Sequence, residues 1–228
     1  WFAEVDPGQG SIAVSGDVRT EHARYDLNLG FQGSFGTVVR DDYGLDGTTD
    51  GLFNYGARKN GVGNHDREIW QYDRNWRNPS MYLDLAPILA IGESLVGITF
   101  DRTTDTFWLV ARDLWAPSNR LVQVNRNGAL LGTVPLGFQA QAIGIESSGV
   151  LWIEKEDSLQ QTLTFVSYAP QFGQFKGKLY PNDWQLVRQI QALEFNIGPV
   201  PGPTTLCALT GTLIGFAIRR RRSTGTSR

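Results

Sequence analysis

Apolar residues recur in four short runs between residues 95 and 136, and polar, turn-forming residues separate these runs. The first three runs cover residues 97–101, 106–113 and 120–125, and the fourth covers 129–136. The third run alternates apolar and polar positions, which is typical of a strand with one buried face. Asn127-Gly128 separates the last two runs, and this dipeptide tolerates the positive φ angles of a tight hairpin turn. The pattern predicts four antiparallel strands in one sheet.

The same arrangement recurs before and after this stretch. Four equivalent positions, Asp26, Asp73, Asn125 and Tyr168, are separated by 47, 52 and 43 residues. A period of about 40–50 residues with four strands per unit is typical of β-propeller blades, whose sheets bury their faces against one another. We therefore expect an all-β fold, a β-propeller-like array of about four four-stranded antiparallel blades. A β-sandwich is the alternative, since it also contains short strands at regular spacing.

The tryptophans fall into two groups. Trp108 and Trp152 occupy matching positions in second strands, so we expect both in the core between blades. Trp76, Trp115 and Trp184 lie nearer to predicted turns. These three are the candidates for stacking on a ligand such as a sugar ring.

Charge is unevenly distributed along the chain. Five of the 21 Lys and Arg residues lie after residue 200, where no Asp or Glu occurs. Since the net charge of the whole chain is −2, residues 1–200 carry about −7. An acidic body lacks the basic face that nucleic acid requires, so no nucleic-acid partner is expected. The lone cysteine, Cys207, lies near the C-terminus, so the body has no disulfide.

The composition changes near residue 198 and divides the chain into two parts. Residues 1–198 are the predicted propeller-like domain; it begins within a strand, so we expect further residues upstream. Residues 199–228 contain a Pro/Gly segment, an apolar run at 204–218 and four consecutive arginines. The apolar run predicts a short C-terminal hydrophobic helix, at the lower length limit for crossing a bilayer. The arginines would stay on the cytoplasmic side.

This C-terminal part resembles the PEP-CTERM sorting signal of Gram-negative bacteria. The family motif Val-Pro-Glu-Pro stands here with glycine in place of glutamate, and a basic cluster follows the apolar run; the residues are Val200, Pro201, Gly202, Pro203, Arg219, Arg220, Arg221 and Arg222. The resemblance implies export, transient retention in the inner membrane, and an exosortase that removes or exchanges the tail. It also implies delivery to the cell surface or extracellular matrix. An ordinary single-pass C-terminal anchor is the alternative.

Aspartates crowd residues 41–50, a glycine-rich segment. Closely spaced carboxylates in such a loop are suited to Ca²⁺, which makes Asp42, Asp46 and Asp50 candidate metal ligands. Their spacing differs from that of an EF-hand, and Asp and Gly also form ordinary turns. No other cofactor is expected.

Two functions fit these residues. We expect a binding or structural module whose rim loops recognise a polysaccharide or a surface protein. The alternative is a lactonase-like, metal-dependent hydrolase with carboxylates at the channel mouth, for which Glu4 and Glu146 are the candidates. Asp101, at a comparable position, is expected to cap a turn. His22 and His65 occupy equivalent loops, where we expect solvated side chains. No nucleophile-elbow or phosphate-loop motif occurs, so no catalytic residue is assigned.

Overall fold

The computed structural model describes residues 2–6, 11–15, 21–26, 30–36, 42–60, 67–113, 119–157 and 162–177. Of the described residues, 62% lie in β-strands, so the all-β prediction is confirmed. The strands, in chain order, are β1 (Phe2–Asp6), β2 (Ser11–Ser15), β3 (Glu21–Asp26), β4 (Phe31–Gly36), β5 (Asp42–Thr49), β6 (Asn54–Asn60), β7 (Glu68–Tyr72), β8 (Ser80–Asp84), β9 (Glu93–Asp101), β10 (Thr106–Asp113), β11 (Asn119–Asn125), β12 (Leu130–Pro135), β13 (Ile143–Ile145), β14 (Leu151–Asp157), β15 (Thr162–Ala169) and β16 (Gln174–Gly177). A 3-10 helix, Pro170–Phe172, joins the last two strands.

The strands form four antiparallel sheets, each a meander of four consecutive strands. We call them blade 1 (β1–β4), blade 2 (β5–β8), blade 3 (β9–β12) and blade 4 (β13–β16). Blade 3 coincides with the four runs of residues 95–136, and the Asn127-Gly128 turn joins β11 to β12 with Gly128 at a φ of 79°. The predicted four-stranded repeats are therefore confirmed.

Consecutive blades meet through their first strands. β1 lies beside β5, β5 beside β9, and β9 beside β13. This arrangement brings the faces of neighbouring sheets together in series, as blades do. The β-sandwich alternative is wrong, because the strands form four sheets in succession rather than two facing sheets.

Apolar side chains fill the space between blades. One buried cluster lies between blades 2 and 3, where Tyr55, Phe100 and Phe107 form an aromatic group with the Tyr55 and Phe107 centroids 5.0 Å apart. A second cluster lies between blades 3 and 4. Strand β10 contributes alternate residues to both clusters, with Phe107 on one face and Trp108 on the other. Such burial of both faces explains why this strand lacks polar alternation in the sequence.

The two tryptophans expected in the core are both buried. Trp108 pairs with Thr99 across the strands, and Trp152 pairs with Gly144 at the matching position of blade 4. The Trp108 ring lies 6.3 Å from that of Tyr168, between blades 3 and 4. Trp152 lies on the opposite face of blade 4, in a cluster with Ala142 and Phe165.

The C-terminal helix and the sorting motif, predicted at residues 199–228, lie outside the described residues. Within the part of the chain that the structure does describe, no helix is long and apolar enough to cross a membrane.

Candidate ligand-binding rim

The turns between strands gather at one end of the blades. In each meander, the turn from first to second strand and the turn from third to fourth strand lie at the same end of the sheet. We call this end the turn rim. Its described turns in blades 2 to 4 cover residues 50–53, 73–79, 102–105, 126–129, 146–150 and 170–173. The connections between blades lie at the opposite end.

Equivalent side chains cap the turns between third and fourth strands. Asp73 Oδ1 accepts hydrogen bonds from the backbone N–H groups of Asn75 and Arg77, both at 2.9 Å. Asn125 Oδ1 accepts from Asn127 and Ala129, also at 2.9 Å. Both caps therefore bind the amides two and four residues ahead, as Asp and Asn side chains do in turns. The equivalence of Asp73 and Asn125 inferred from the repeat is confirmed.

Acidic residues cap the turns between first and second strands. Asp101 Oδ1 accepts from the N–H groups of Thr103 at 2.8 Å and Thr104 at 3.3 Å, so the predicted cap is confirmed. Asp50 Oδ1 accepts from Leu52 and Phe53, each at 2.7 Å. These bonds fix the backbone of both turns.

A charged network joins blades 2 and 3 at the turn rim. The Arg126 guanidinium donates to Asp50 Oδ2 at 2.8 Å and to Asp105 Oδ1 at 2.6 Å. It also lies 4.6 Å from the centroid of the Phe100 ring. The hydroxyl of Tyr55 donates to Asp50 Oδ2 at 2.9 Å. The Asp50 side chain is 1% exposed and that of Arg126 is 32% exposed, so the ion pair is largely withdrawn from water.

The electrostatics of this network follow from burial and partners. Burial opposes the charge of Asp50, but the N–H of Phe53 and the Arg126 guanidinium outweigh it, and the pKa of Asp50 is lowered. Burial, together with the neighbouring Asp50 carboxylate, raises the pKa of Tyr55 to about 12. Asp50 and Arg126 are therefore an ionised pair at neutral pH, and Tyr55 stays a hydrogen-bond donor.

Asp46 occupies the interior of the fold. It is fully buried; its carboxylate accepts from the N–H of Gly47 and from that of Ile98 in β9, each at 2.9 Å. In the same strand, the Thr48 hydroxyl accepts from the N–H of Phe100 at 3.0 Å. These bonds tie the first strands of blades 2 and 3 together. Burial raises the pKa of Asp46 well above its usual value, and the backbone donors only partly oppose it.

The described backbone spreads the predicted calcium ligands Asp42, Asp46 and Asp50 along one strand and its end. Asp42 and Asp46 lie in strand β5 and Asp50 follows it directly, so the segment is not a loop. At about 3.3 Å per residue, four residues of strand separate successive members of the set by roughly 13 Å. Oxygen ligands of one Ca²⁺ lie about 2.3–2.6 Å from the ion. Among the described residues, no group of three His, Cys, Asp or Glu residues could hold a metal.

Of the two carboxylates considered for a hydrolase, Glu4 and Glu146, the structure describes the side chain of Glu146 alone. Glu146 begins the turn between β13 and β14, where it accepts from the hydroxyl of Ser148 and from Trp152 Nε1. It therefore supports its own turn. Glu4 and His22 lie in β1 and β3, but their side chains are outside what the structure describes, as is all of His65.

The prediction that Trp76 stacks on a ligand is wrong, because its side chain is buried and only 4% exposed. Its ring lies 5.2 Å from that of Tyr72, and a Cβ built on Gly47 would lie 2.6 Å from Trp76 Cη2. The small size of Gly47 thus makes room for the indole. Trp115 and Trp184, the other two stacking candidates, lie outside the described residues.

Trp76 also adopts a rare backbone conformation. Its φ is 57°, and Gly128 has a φ of 79° at the equivalent position of blade 3. A non-glycine residue in the left-handed region is strained by about 1–3 kcal/mol. Asn78, in the same turn, has a φ of 55°. The buried indole and the Asp73 cap hold this turn in place.

Several residues of the rim were not predicted. Leu52 is 72% exposed and Phe53 is 42% exposed, and both lie in the turn that Asp50 caps. Arg126 was not assigned a role either. The repeated segments Asp73-Arg74-Asn75 and Asn125-Arg126-Asn127 carried the signal, because an arginine follows the cap in both.

No protein-family model matches the chain, and no curated protein matches it significantly. Among solved structures, it is similar to a chain in the crystal structure of a nidogen/laminin complex, with a TM-score of 0.55 and 10% identity over 85% of this chain and 67% of that chain. It is also similar to a structural genomics protein of unknown function from Bacteroides thetaiotaomicron, with a TM-score of 0.50 and 10% identity over 78% of this chain and 42% of that one. The chain thus spans about two thirds of the first and less than half of the second. At these identities the likeness concerns the fold alone, which is β-propeller-like.

Proposed function

We propose that this chain is an exported β-propeller-like module that binds a polysaccharide or protein partner at the cell surface or in the extracellular matrix. Its C-terminal signal would hold it in the inner membrane until an exosortase-type enzyme removes or exchanges the tail. The fold supports the module, and the motif Val200–Pro203 with the basic cluster Arg219–Arg222 supports the sorting route.

The observation that carries the binding role is the construction of the turn rim. The carboxylates of Asp50, Asp73 and Asp101 accept hydrogen bonds from backbone amides of their own turns. The same turns present exposed side chains, including Leu52 and Phe53. Rigid turns with exposed apolar and polar groups favour recognition, because binding then costs little loop ordering. Glu146, the one hydrolase candidate whose side chain is described, accepts hydrogen bonds from Ser148 and Trp152 of its own turn and strand, which does not favour the hydrolase alternative.

Fractionation of cells tests the sorting route. The full chain, placed behind an export signal, is expressed in a Gram-negative host with and without an exosortase, and its size and location are followed by immunoblotting. We expect a shortened, surface-associated form only where the exosortase is present. Replacing Arg219–Arg222 by alanine should abolish it. A chain that stays full-length and membrane-bound in both hosts would identify a plain anchor and refute the sorting proposal.

A further inference from the structure

Two exposed arginines lie at the turn rim of blades 2 and 3, where the carboxylates of Asp50, Asp73 and Asp101 cap turns and that of Asp105 pairs with Arg126. Arg77 and Arg102 are exposed on the turns 73–79 and 102–105. Neither takes part in the ion pairs among the described residues, which join Arg120 to Glu93 and Arg126 to Asp50 and Asp105. The rim therefore offers guanidinium groups that are available to an anion.

These cations belong to one continuous surface with the exposed apolar turn. Arg102 donates to the backbone oxygen of Thr49 at 3.5 Å, and its guanidinium lies about 3.8 Å from a Cβ built on Gly51. Asn54, next to Phe53, donates from Nδ2 to the backbone carbonyl oxygen of Asp73 at 3.2 Å. The turn 50–53 is thus flanked by the arginine of blade 3 on one side and by the 73–79 turn on the other.

The geometry points to an acidic polysaccharide as the ligand of this surface, which we call the basic rim patch: Phe53, Asn75, Arg77, Asn78 and Arg102. Guanidinium groups form paired hydrogen bonds with carboxylates. Asn78 Nδ2 donates to Asp73 Oδ2 at 2.9 Å and Asn75 Oδ1 accepts from Arg24 at 3.3 Å, so the Asn78 oxygen and the Asn75 nitrogen are the amide atoms that face sugar hydroxyls. Phe53, 42% exposed, offers an apolar face to a sugar ring. This inference rests on the proposed binding role and names its ligand class.

A polysaccharide fits this surface better than a peptide does. Peptides are commonly bound by adding a strand to a sheet edge or by filling an apolar groove. The basic rim patch is built from turns, whose amides are occupied by the caps Asp50 and Asp73. It therefore offers no strand edge at this end of the blades. The acidic remainder of the domain repels a polyanion, which directs such a chain to the patch.

Binding of the full 228-residue chain, purified in mild detergent, to immobilised alginate tests the inference. Dextran serves as the neutral polysaccharide and polyglutamate as the acidic peptide. The double variant Arg77→Ala/Arg102→Ala should bind alginate about tenfold more weakly and with a shallower salt dependence. Phe53→Ala should weaken binding without changing the salt dependence. Arg112→Ala is the matched control, since Arg112 lies at the other end of β10 and also makes one 3.5 Å hydrogen bond.

The outcomes separate this inference from the proposed function. Selective, salt-sensitive binding to alginate that depends on the two arginines supports it. It is overturned if alginate does not bind, if polyglutamate binds equally well, or if Arg112→Ala loses as much affinity. Binding to dextran alone would overturn the acidic ligand class and keep the module. Thermal melts of each variant show whether it has folded. The sorting experiment is unaffected by any of these results.

Discussion

Replacing Arg126 by methionine isolates the network between blades 2 and 3. Methionine keeps much of the side-chain volume and removes the charge. In the native protein, Arg126 pairs with the buried Asp50 and with Asp105, whose side chain is 64% exposed. The substitution therefore leaves a buried carboxylate without its cation, while the Leu52 and Phe53 amides still donate to it. We expect the variant to fold with reduced stability.

The expected loss is about 2–4 kcal/mol. A hydrogen bond to a charged group contributes about 1.5–3 kcal/mol, and the Arg126–Asp50 bond is of this kind. The more exposed pair with Asp105 adds only about 0.2–1 kcal/mol. The contact of the guanidinium with Phe100 adds about 0.5–1 kcal/mol, part of which methionine replaces by apolar contact. For a domain of this size the loss corresponds to a fall in Tm of roughly 5–15 °C.

Urea unfolding of the full chain measures the effect, with Arg102→Met as control because Arg102 makes only a 3.5 Å bond to a backbone oxygen. A double-mutant cycle with Asp50→Asn should give a coupling of about 1–3 kcal/mol. A loss below about 0.5 kcal/mol, or a coupling near zero, would refute the interpretation of Arg126 as a link between blades.

The pH dependence has a defined sign. The pKa of Asp50 is lower in the folded protein than in the unfolded chain, where it is about 3.9. Its stabilising contribution is thus present above pH 4 and is lost as the pH falls through the folded-state pKa. Arg126→Met should reduce this loss of stability in acid. An equally steep loss in the variant would contradict the assignment.

The remaining predictions concern packing, caps and metal. Gly47→Ala should lower stability by about 1–3 kcal/mol, because the new methyl group collides with Trp76, whereas Gly132→Ala has open space and should change little; equal melts would contradict this. Asp73→Ala and Asn125→Ala should each cost about 1–2 kcal/mol in urea unfolding, since both uncover turn amides. A chelator should leave the thermal melt unchanged; a lowered melt would reveal a metal that the described carboxylates do not explain.

The repeat could be predicted from the sequence because it depends on interactions between residues close together in the chain. Strand alternation, the Asn127-Gly128 hairpin and the equivalent caps Asp73 and Asn125 all depend on residues close in sequence. They therefore predicted the four-stranded blades, their order and the place of the Asn127-Gly128 turn. The buried positions of Trp108 and Trp152 followed from the same alignment, since equivalent residues of a repeat face the same kind of neighbour.

The errors arose where tertiary contacts decide the outcome. The spacing of Asp42, Asp46 and Asp50 is the same whether the segment forms a loop or a strand. The pairing of β5 with β6 makes it a strand, and an extended strand holds the aspartates far apart. Trp76 lies in a turn, which indicates exposure, yet the space above Gly47 buries it. Phe53 is 42% exposed because it lies in the turn that Asp50 caps, just before β6 begins. These contacts between residues far apart in the chain cannot be inferred from sequence spacing alone.

The turns that Asp73 and Asn125 cap show how one cap geometry accommodates different residues. In blade 3 the left-handed position of the turn is Gly128, which needs no support; in blade 2 it is Trp76, held by packing on Gly47. Both turns share one cap geometry, which Asp73 or Asn125 provides, although different residues occupy the left-handed position. If the proposed binding role holds, ligand specificity is expected to depend on exposed turn positions such as Arg77, while the caps preserve the shape of the rim.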